Sequence, residues 1–107
     1  MDEFSLIKYI QEQQNLHNKI NNTNLTNIQI DIGDDACAIK LPNDNNSELI
    51  IATDTLNTGI HFFEDSKAYD IAHKALAVNL SDLAAMGATP AYFTLNLTLL
   101  KIDKSWI

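Results

Sequence analysis

The 107-residue sequence has no arginine: all seven of its basic residues are lysines. Without a guanidinium there is no planar fork to grip a phosphate or a guanine edge at two points at once. Fourteen acidic residues bring the net charge to −7, so the chain repels nucleic acid and, unaided, any polyphosphate. A polyphosphate is held on such a surface only when divalent cations bridge carboxylates to its oxygens.

Cysteine is nearly absent as well. A single thiol, Cys37, allows neither an internal disulfide nor a cysteine-based zinc site, and this fits a reducing compartment. With no base visibly paired with it, Cys37 reads as a small core residue rather than a nucleophile. Only three glycines occur, at 33, 59 and 87, and none belongs to a phosphate-binding loop of the GxxxxGK[ST] type. No apolar run after the acidic Met1-Asp2-Glu3 start is long enough for a signal peptide or a membrane span. The expectation is a cytoplasmic protein without a membrane partner.

What is present is ordinary globular material, 46% hydrophobic and 20% charged. A chain of this length fits one domain, residues 1–107, and buries only about 60–70% of its unfolded surface. Asp2 is placed to cap a helix over residues 3–14, with Phe4, Ile7 and Ile10 near helical spacing and Leu6 beside them. Asparagine dominates residues 15–27, and the isolated Leu16, Ile20 and Leu25 make no stripe, which predicts a polar loop. Ile28, Ile30 and Ile32 then alternate with Gln29 and Asp31, the period of a half-buried strand, until Gly33 interrupts it.

Residues 36–41 continue a strand beyond that bend, up to Pro42 and the turn-forming Asn43-Asp44-Asn45-Asn46. Residues 49–56 are a continuous apolar and threonine run, expected of a strand covered on both faces, and the Asp54 inside it then requires a partner. Asp65 or Ser66 caps a helix running to about Met86, with Ile71, Ala75, Leu76, Leu80, Leu83 and Ala84 as its apolar stripe and Gly87 as its stop. After Pro90, Phe93, Leu95, Leu97 and Leu99 face one way and Thr94, Asn96 and Thr98 the other. The order helix, strand, strand, helix, strand predicts an α+β fold, a helix packed on a mainly antiparallel sheet.

Three acidic sites interrupt or end apolar elements: Asp34-Asp35 at a strand bend, Asp54 in a strand and Asp82 in a helix. Carboxylates brought together repel unless a cation joins them, and all-oxygen donors suit Mg²⁺. Against this stands the plainer reading that aspartates are solvated turn residues and caps. That reading suits Asp34 and Asp35 beside Gly33 better than Asp54. His61, just beyond Asp54, fits either a structural histidine, the simpler reading from spacing, or a contact to a phosphate or a substrate ring. His17 in the predicted loop and His73 on the helix gain no role from pattern, while Asn79 and Ser81 fit bonding to backbone or to a ligand.

Taken together, Ile32-Gly33-Asp34-Asp35-Ala36, Thr53-Asp54-Thr55-Leu56, Gly59-Ile60-His61-Phe62 and the run KALAVNLSDLAAMGA from Lys74 to Ala88 resemble the thiamine-monophosphate kinase family in order and spacing. This family lies in the superfamily of aminoimidazole-ribonucleotide-synthetase-like enzymes, and the resemblance extends from about Phe4 to the chain end. It implies an amino-terminal domain that binds ATP and Mg²⁺ and dimerises, serving phosphoryl transfer from ATP to thiamine monophosphate. Carried over by position, Asp35, Asp54 and Asp82 are metal ligands, Thr53 a further oxygen donor, His61 a substrate contact and Asp34 a neighbour. No residue receives a catalytic role.

Two departures bear on that expectation. Ala52 stands where the family often has serine, which removes one side-chain contact to metal. The family's chain also continues well past Ile107, through a glycine-rich segment with another metal-binding aspartate and a second domain, so a truncated piece without kinase activity of its own is expected. Paired sheets in the superfamily imply a homodimer, which covers the sheet edge. Selenophosphate synthetase, aminoimidazole-ribonucleotide synthetase and the hydrogenase-maturation dehydratase are relatives that the VNLSDLAAMGA block argues against. A non-catalytic dimerisation or metal-binding module is the alternative from another class.

Overall fold

A computed structural model describes residues 2–22 and 27–107. Its elements in chain order are α1 (Glu3–Ile20), β1 (Ile28–Ile30), β2 (Ala38–Ile39) and α2 (Ala68–Ala85), an α+β composition. The chain divides into two compact units, Met1–Ser47 with Leu99–Lys104, and Glu48–Thr98 with Ser105–Ile107.

In the first unit α1 begins as its sequence predicts. The Ser5 backbone N–H donates to Asp2 Oδ1 at 2.7 Å, satisfying one of the donors that a helix start leaves without a partner. Glu3 in the first turn and His17 and Lys19 in the last complement the helix dipole. The helix does not stop at Gln14 but runs on to Ile20, so the first six residues of the predicted polar loop are helical. Polar composition had been read as a loop there, but solvent-facing glutamine, asparagine and lysine cost a helix little. The helix ends where Asn22 takes a positive φ of 51°, a conformation that asparagine tolerates. Leu25, the last apolar residue of that predicted loop, lies outside the described residues.

β1 and β2 pair antiparallel, Ile28 with Ile39 and Ile30 with Ala38, across an irregularity in register. Both strands are shorter than predicted, and Gly33 does mark the break, with φ at 111°. α1 reaches the segment leaving β1 through two glutamines one turn apart. Gln11 Nε2 donates to the Ile32 carbonyl at 2.9 Å, and Gln14 Nε2 to Asp31 Oδ2 at 3.1 Å. Elsewhere on the same helix, the Tyr9 ring has the Lys104 ammonium 4.9 Å from its centre, within cation–π range. Leu6, 8% exposed, is the only buried apolar side chain among the described residues. Cys37 is exposed, which corrects its reading as a core residue.

In the second unit α2 starts at Ala68 after Lys67, which gives no side-chain cap. The predicted caps at Asp65 and Ser66 are therefore not used. Its stop is as predicted: the Ala88 N–H donates to the Leu83 carbonyl at 2.9 Å and the Gly87 N–H to the Ala84 carbonyl at 3.0 Å, with Gly87 at φ 67°. This pair of bonds around a left-handed glycine is the Schellman arrangement, which satisfies the last carbonyls of the helix. The predicted apolar stripe exists, but no residue of α2 is buried.

The strands predicted over residues 49–56 and 93–99 are not formed. Ile51 is 76% exposed and Phe93 77% exposed. An apolar run states only that its surface favours cover; it does not say which chain supplies the cover. Asp54 is exposed rather than enclosed, so the partner that a buried charge requires is not needed.

Gly87→Ala is expected to lower stability in urea unfolding by about 1–2 kcal/mol, from backbone strain alone, because the added methyl meets nothing within 4 Å. The hydrogen bond from the Ser5 N–H, followed by the side-chain bond with Ser5, holds the Asp2 carboxyl below the usual aspartate range. A depressed carboxyl stabilises the folded state above its unfolded value, and that contribution disappears as pH falls through the lower folded value. Helix content followed by circular dichroism is thus expected to decline below about pH 4, and Asp2→Asn, which keeps an N-cap acceptor, is expected to flatten the decline.

Candidate functional site

The acidic loop in the first unit is a succession of tight side-chain-to-backbone bonds. Asp31 Oδ1 accepts from the Ile32 N–H at 2.7 Å, and Asp34 Oδ1 from the Asp35 N–H at 2.8 Å. Between them Gly33 sits against Gln11: a Cβ added there would stand 3.3 Å from Gln11 Nε2. Glycine is favoured at this point by its φ, and a side chain there would also make the Gln11 amide shift by a few tenths of an ångström. The glutamine clasp therefore fixes the course of the chain into Asp34 and Asp35, both of which are exposed.

In the second unit Thr53 and Asp54 lie on the exposed segment before the turn, and Asp54 Oδ1 accepts from the Thr55 N–H at 3.1 Å. Asp82 is exposed on α2. Asn79, also on α2, donates from Nδ2 to the Ala75 carbonyl at 2.8 Å, so its side chain bonds to backbone. His73 stacks on Tyr69 with ring centres 6.4 Å apart, and His17 Nδ1 and Nε2 both lie 3.3 Å from Asn21 Nδ2.

His61 has the most closely built surroundings of the sequence-predicted residues. It closes a turn in which its N–H donates to the Asn57 carbonyl at 2.9 Å, while the Asn57 N–H donates to His61 Nδ1 at 2.8 Å. Gly59, at φ 78°, reverses the chain and donates its N–H to the Phe62 carbonyl at 2.7 Å. The Lys74 ammonium, from α2, donates to the His61 carbonyl. Gly59, Ile60, His61, Phe62, Phe63 and Lys74 line a half-open pocket of about 240 Å³. The sequence pattern points to His61 but to neither Asn57 nor Lys74, since nothing in a linear pattern ties a helix lysine to a carbonyl thirteen residues earlier.

The donors at Asp35, Thr53, Asp54 and Asp82 are all hard oxygens, of the type a magnesium-like cation takes. Among the described residues, the Asp35 and Asp82 carboxylates have no hydrogen-bond or ion-pair partner that competes for them. No group of three or more His, Cys, Asp or Glu among the described residues is placed to hold a metal ion. A cation that keeps several waters and takes one or two carboxylates needs no larger group, so the donor chemistry fits.

Residues 33–107 match the family described as AIR synthase related protein, N-terminal domain. The chain is 43% identical over all 107 residues to the thiamine-monophosphate kinase of Haemophilus influenzae, covering 30% of that protein. It is 51% identical over 80 residues to the thiamine-monophosphate kinase of Escherichia coli, 75% of this chain and 24% of that one. It is 35% identical over 100 residues to that of Bacillus subtilis, 92% of this chain and 28% of that one. The chain thus spans about a quarter of the length of the curated relatives it matches. No solved structure matches it.

The clasp around Gly33 is tested by a double-mutant cycle. Gly33→Ala is expected to cost about 1–3 kcal/mol from φ strain and contact together, and the cost is expected to shrink in a Gln11→Ala background, where only the strain is left. Equal costs in both backgrounds, by urea unfolding, mean that the glutamine does not constrain the loop.

Proposed function

Because this chain belongs to the AIR synthase related family, as its N-terminal domain, we propose that it is the cation- and phosphate-handling part of a thiamine-monophosphate kinase, serving phosphoryl transfer from ATP to thiamine monophosphate. The observation that carries this reading is the 43% identity over the full 107 residues to a kinase of that name. Exposed carboxylates on an arginine-free chain support it from the structure, since phosphate then needs a bridging cation.

Mg²⁺ is the proposed cofactor, with ATP as co-substrate; the proposed ligands are Asp35 in the first unit and Asp54, Asp82 and the Thr53 hydroxyl in the second, with one or two carboxylates to an ion. Bound there, the ion would neutralise phosphate charge and orient the reacting groups. The chain's own part is to place those oxygens. Asp34 and Asp54 each spend one oxygen on the next backbone N–H, which restrains the side chain and leaves the second oxygen for a ligand. Ala52 supplies no hydroxyl beside Thr53, so the affinity there falls mainly to carboxylates. His61 is the proposed contact to thiamine monophosphate.

The same reading includes a homodimer and a cytoplasmic setting. Leu49, Ile51, Phe93, Leu95 and Leu97, all in the second unit, are each exposed, and a second copy would cover such apolar surface. Among the described residues no helix is long and apolar enough to cross a membrane.

Calorimetric titration with a non-hydrolysable ATP analogue tests the site. Binding is expected only with Mg²⁺ present, and Asp54→Asn or Asp82→Asn is expected to weaken it about tenfold or more, or about 1.4 kcal/mol. Binding that is indifferent to the metal or to both substitutions, or no binding to a folded wild type, overturns the assignment of the site to these residues.

A further inference from the structure

We propose that Lys74 is a positioning residue for His61: by donating to the His61 carbonyl it holds the turn over residues 57–62 in the shape that fixes the ring tautomer and leaves Nε2–H as the donor to an anionic oxygen of the ligand. The proposal rests on the reading of His61 as a substrate contact.

The argument is a count of the polar groups of one residue. His61 has a backbone N–H, a backbone carbonyl and two ring nitrogens. The N–H donates to the Asn57 carbonyl, the carbonyl accepts from Lys74, and ring Nδ1 accepts from the Asn57 N–H. A backbone amide cannot give up its hydrogen, so Nδ1 must be the bare nitrogen of a neutral ring and Nε2 carries the hydrogen. Nε2 is then the one polar atom of His61 without a partner among the described residues. A free imidazole in solution samples both tautomers; here the turn selects one.

The turn needs an anchor to do this. Its own bonds run within residues 57–62, and none of its side chains is buried, His61 and Phe62 being partly covered and the rest exposed, so little packing holds it. Lys74 reaches it from α2, a helix of eighteen residues whose last carbonyls are satisfied. The anchored turn is thus tied to the most regular element of its unit. An ammonium has three donors, and the carbonyl uses one, leaving two at a pocket that His61 also lines. A lysine charge and an imidazole N–H beside Phe62 and Phe63 suit a phosphate joined to an apolar or aromatic body. At about 240 Å³ the pocket takes a phosphate with part of its carrier.

The test measures the ring directly. Two-dimensional ¹⁵N spectra of His61 at about pH 8.5, where imidazoles are neutral, are recorded for wild type, Lys74→Met and Lys74→Arg, with thiamine monophosphate and inorganic phosphate titrated into each. Methionine keeps the helix, being nearly as good a helix former as lysine, and circular dichroism checks that it has. Wild type is expected to show the Nε2–H tautomer, Lys74→Met a mixture of tautomers with phosphate binding about tenfold weaker, and Lys74→Arg the wild-type tautomer. A Lys74→Met protein with the wild-type tautomer overturns the proposal. Should that variant unfold, a wild-type or Lys74→Arg ring protonated on Nδ1 overturns it equally. If the tautomer depends on Lys74 but thiamine monophosphate does not bind, the positioning role stands and the substrate reading fails.

Discussion

A backbone N–H or carbonyl taken from water must find another partner, and this requirement shapes each unit of the chain more than apolar burial does. Among the described residues one apolar side chain is buried. Helix ends and turns are instead held by polar bonds of known direction: the Asp2 cap, the Gln11 and Gln14 clasp, the paired bonds around Gly87, and the knot between Asn57 and His61. Each such bond contributes only about 0.5–1.5 kcal/mol net. Their weight lies in geometry, because they decide where a carboxylate or an imidazole can stand.

The same distribution explains why the candidate ligands remain available. An aspartate buried in a core would need a partner of its own; Asp35, Asp54 and Asp82 are all exposed and are not engaged by any lysine among the described residues. Apolar surface is left over by the same token. Fully covering a large apolar side chain is worth about 1.5–3 kcal/mol, so the five exposed apolar residues at 49, 51, 93, 95 and 97 together hold a driving force on the order of 10 kcal/mol, comparable with the whole stability of a typical domain. That force is the physical ground for expecting a protein surface to cover the second unit.

Features governed by neighbours in the chain were legible from the residues. The Asp2 cap, the interruption at Gly33 and the stop at Gly87 depend on side chains within a few positions, and all three stand in the structure. Extent was less legible. α1 outran its predicted end because polarity does not distinguish a loop from the solvated part of a helix, and residues 49–56 and 93–99 read as strands because an apolar pattern, continuous in the first and alternating in the second, records a demand for cover whether or not the cover is present. Cys37 was misread on the same ground: its residue type favours burial, and its position does not supply it.

By itself, then, the sequence determined which chemistry is possible. It holds hard oxygen donors in three acidic motifs, one histidine beyond the second of them, and no guanidinium or glycine-rich loop to bind phosphate another way. Tertiary structure alone decided how two of those groups are aimed. Gln11 meets Ile32 across twenty-one residues and Lys74 meets His61 across thirteen. Such partners are chosen by where helix and turn lie in space, and a side-chain amide or ammonium carries no mark in the linear pattern of which carbonyl it will find.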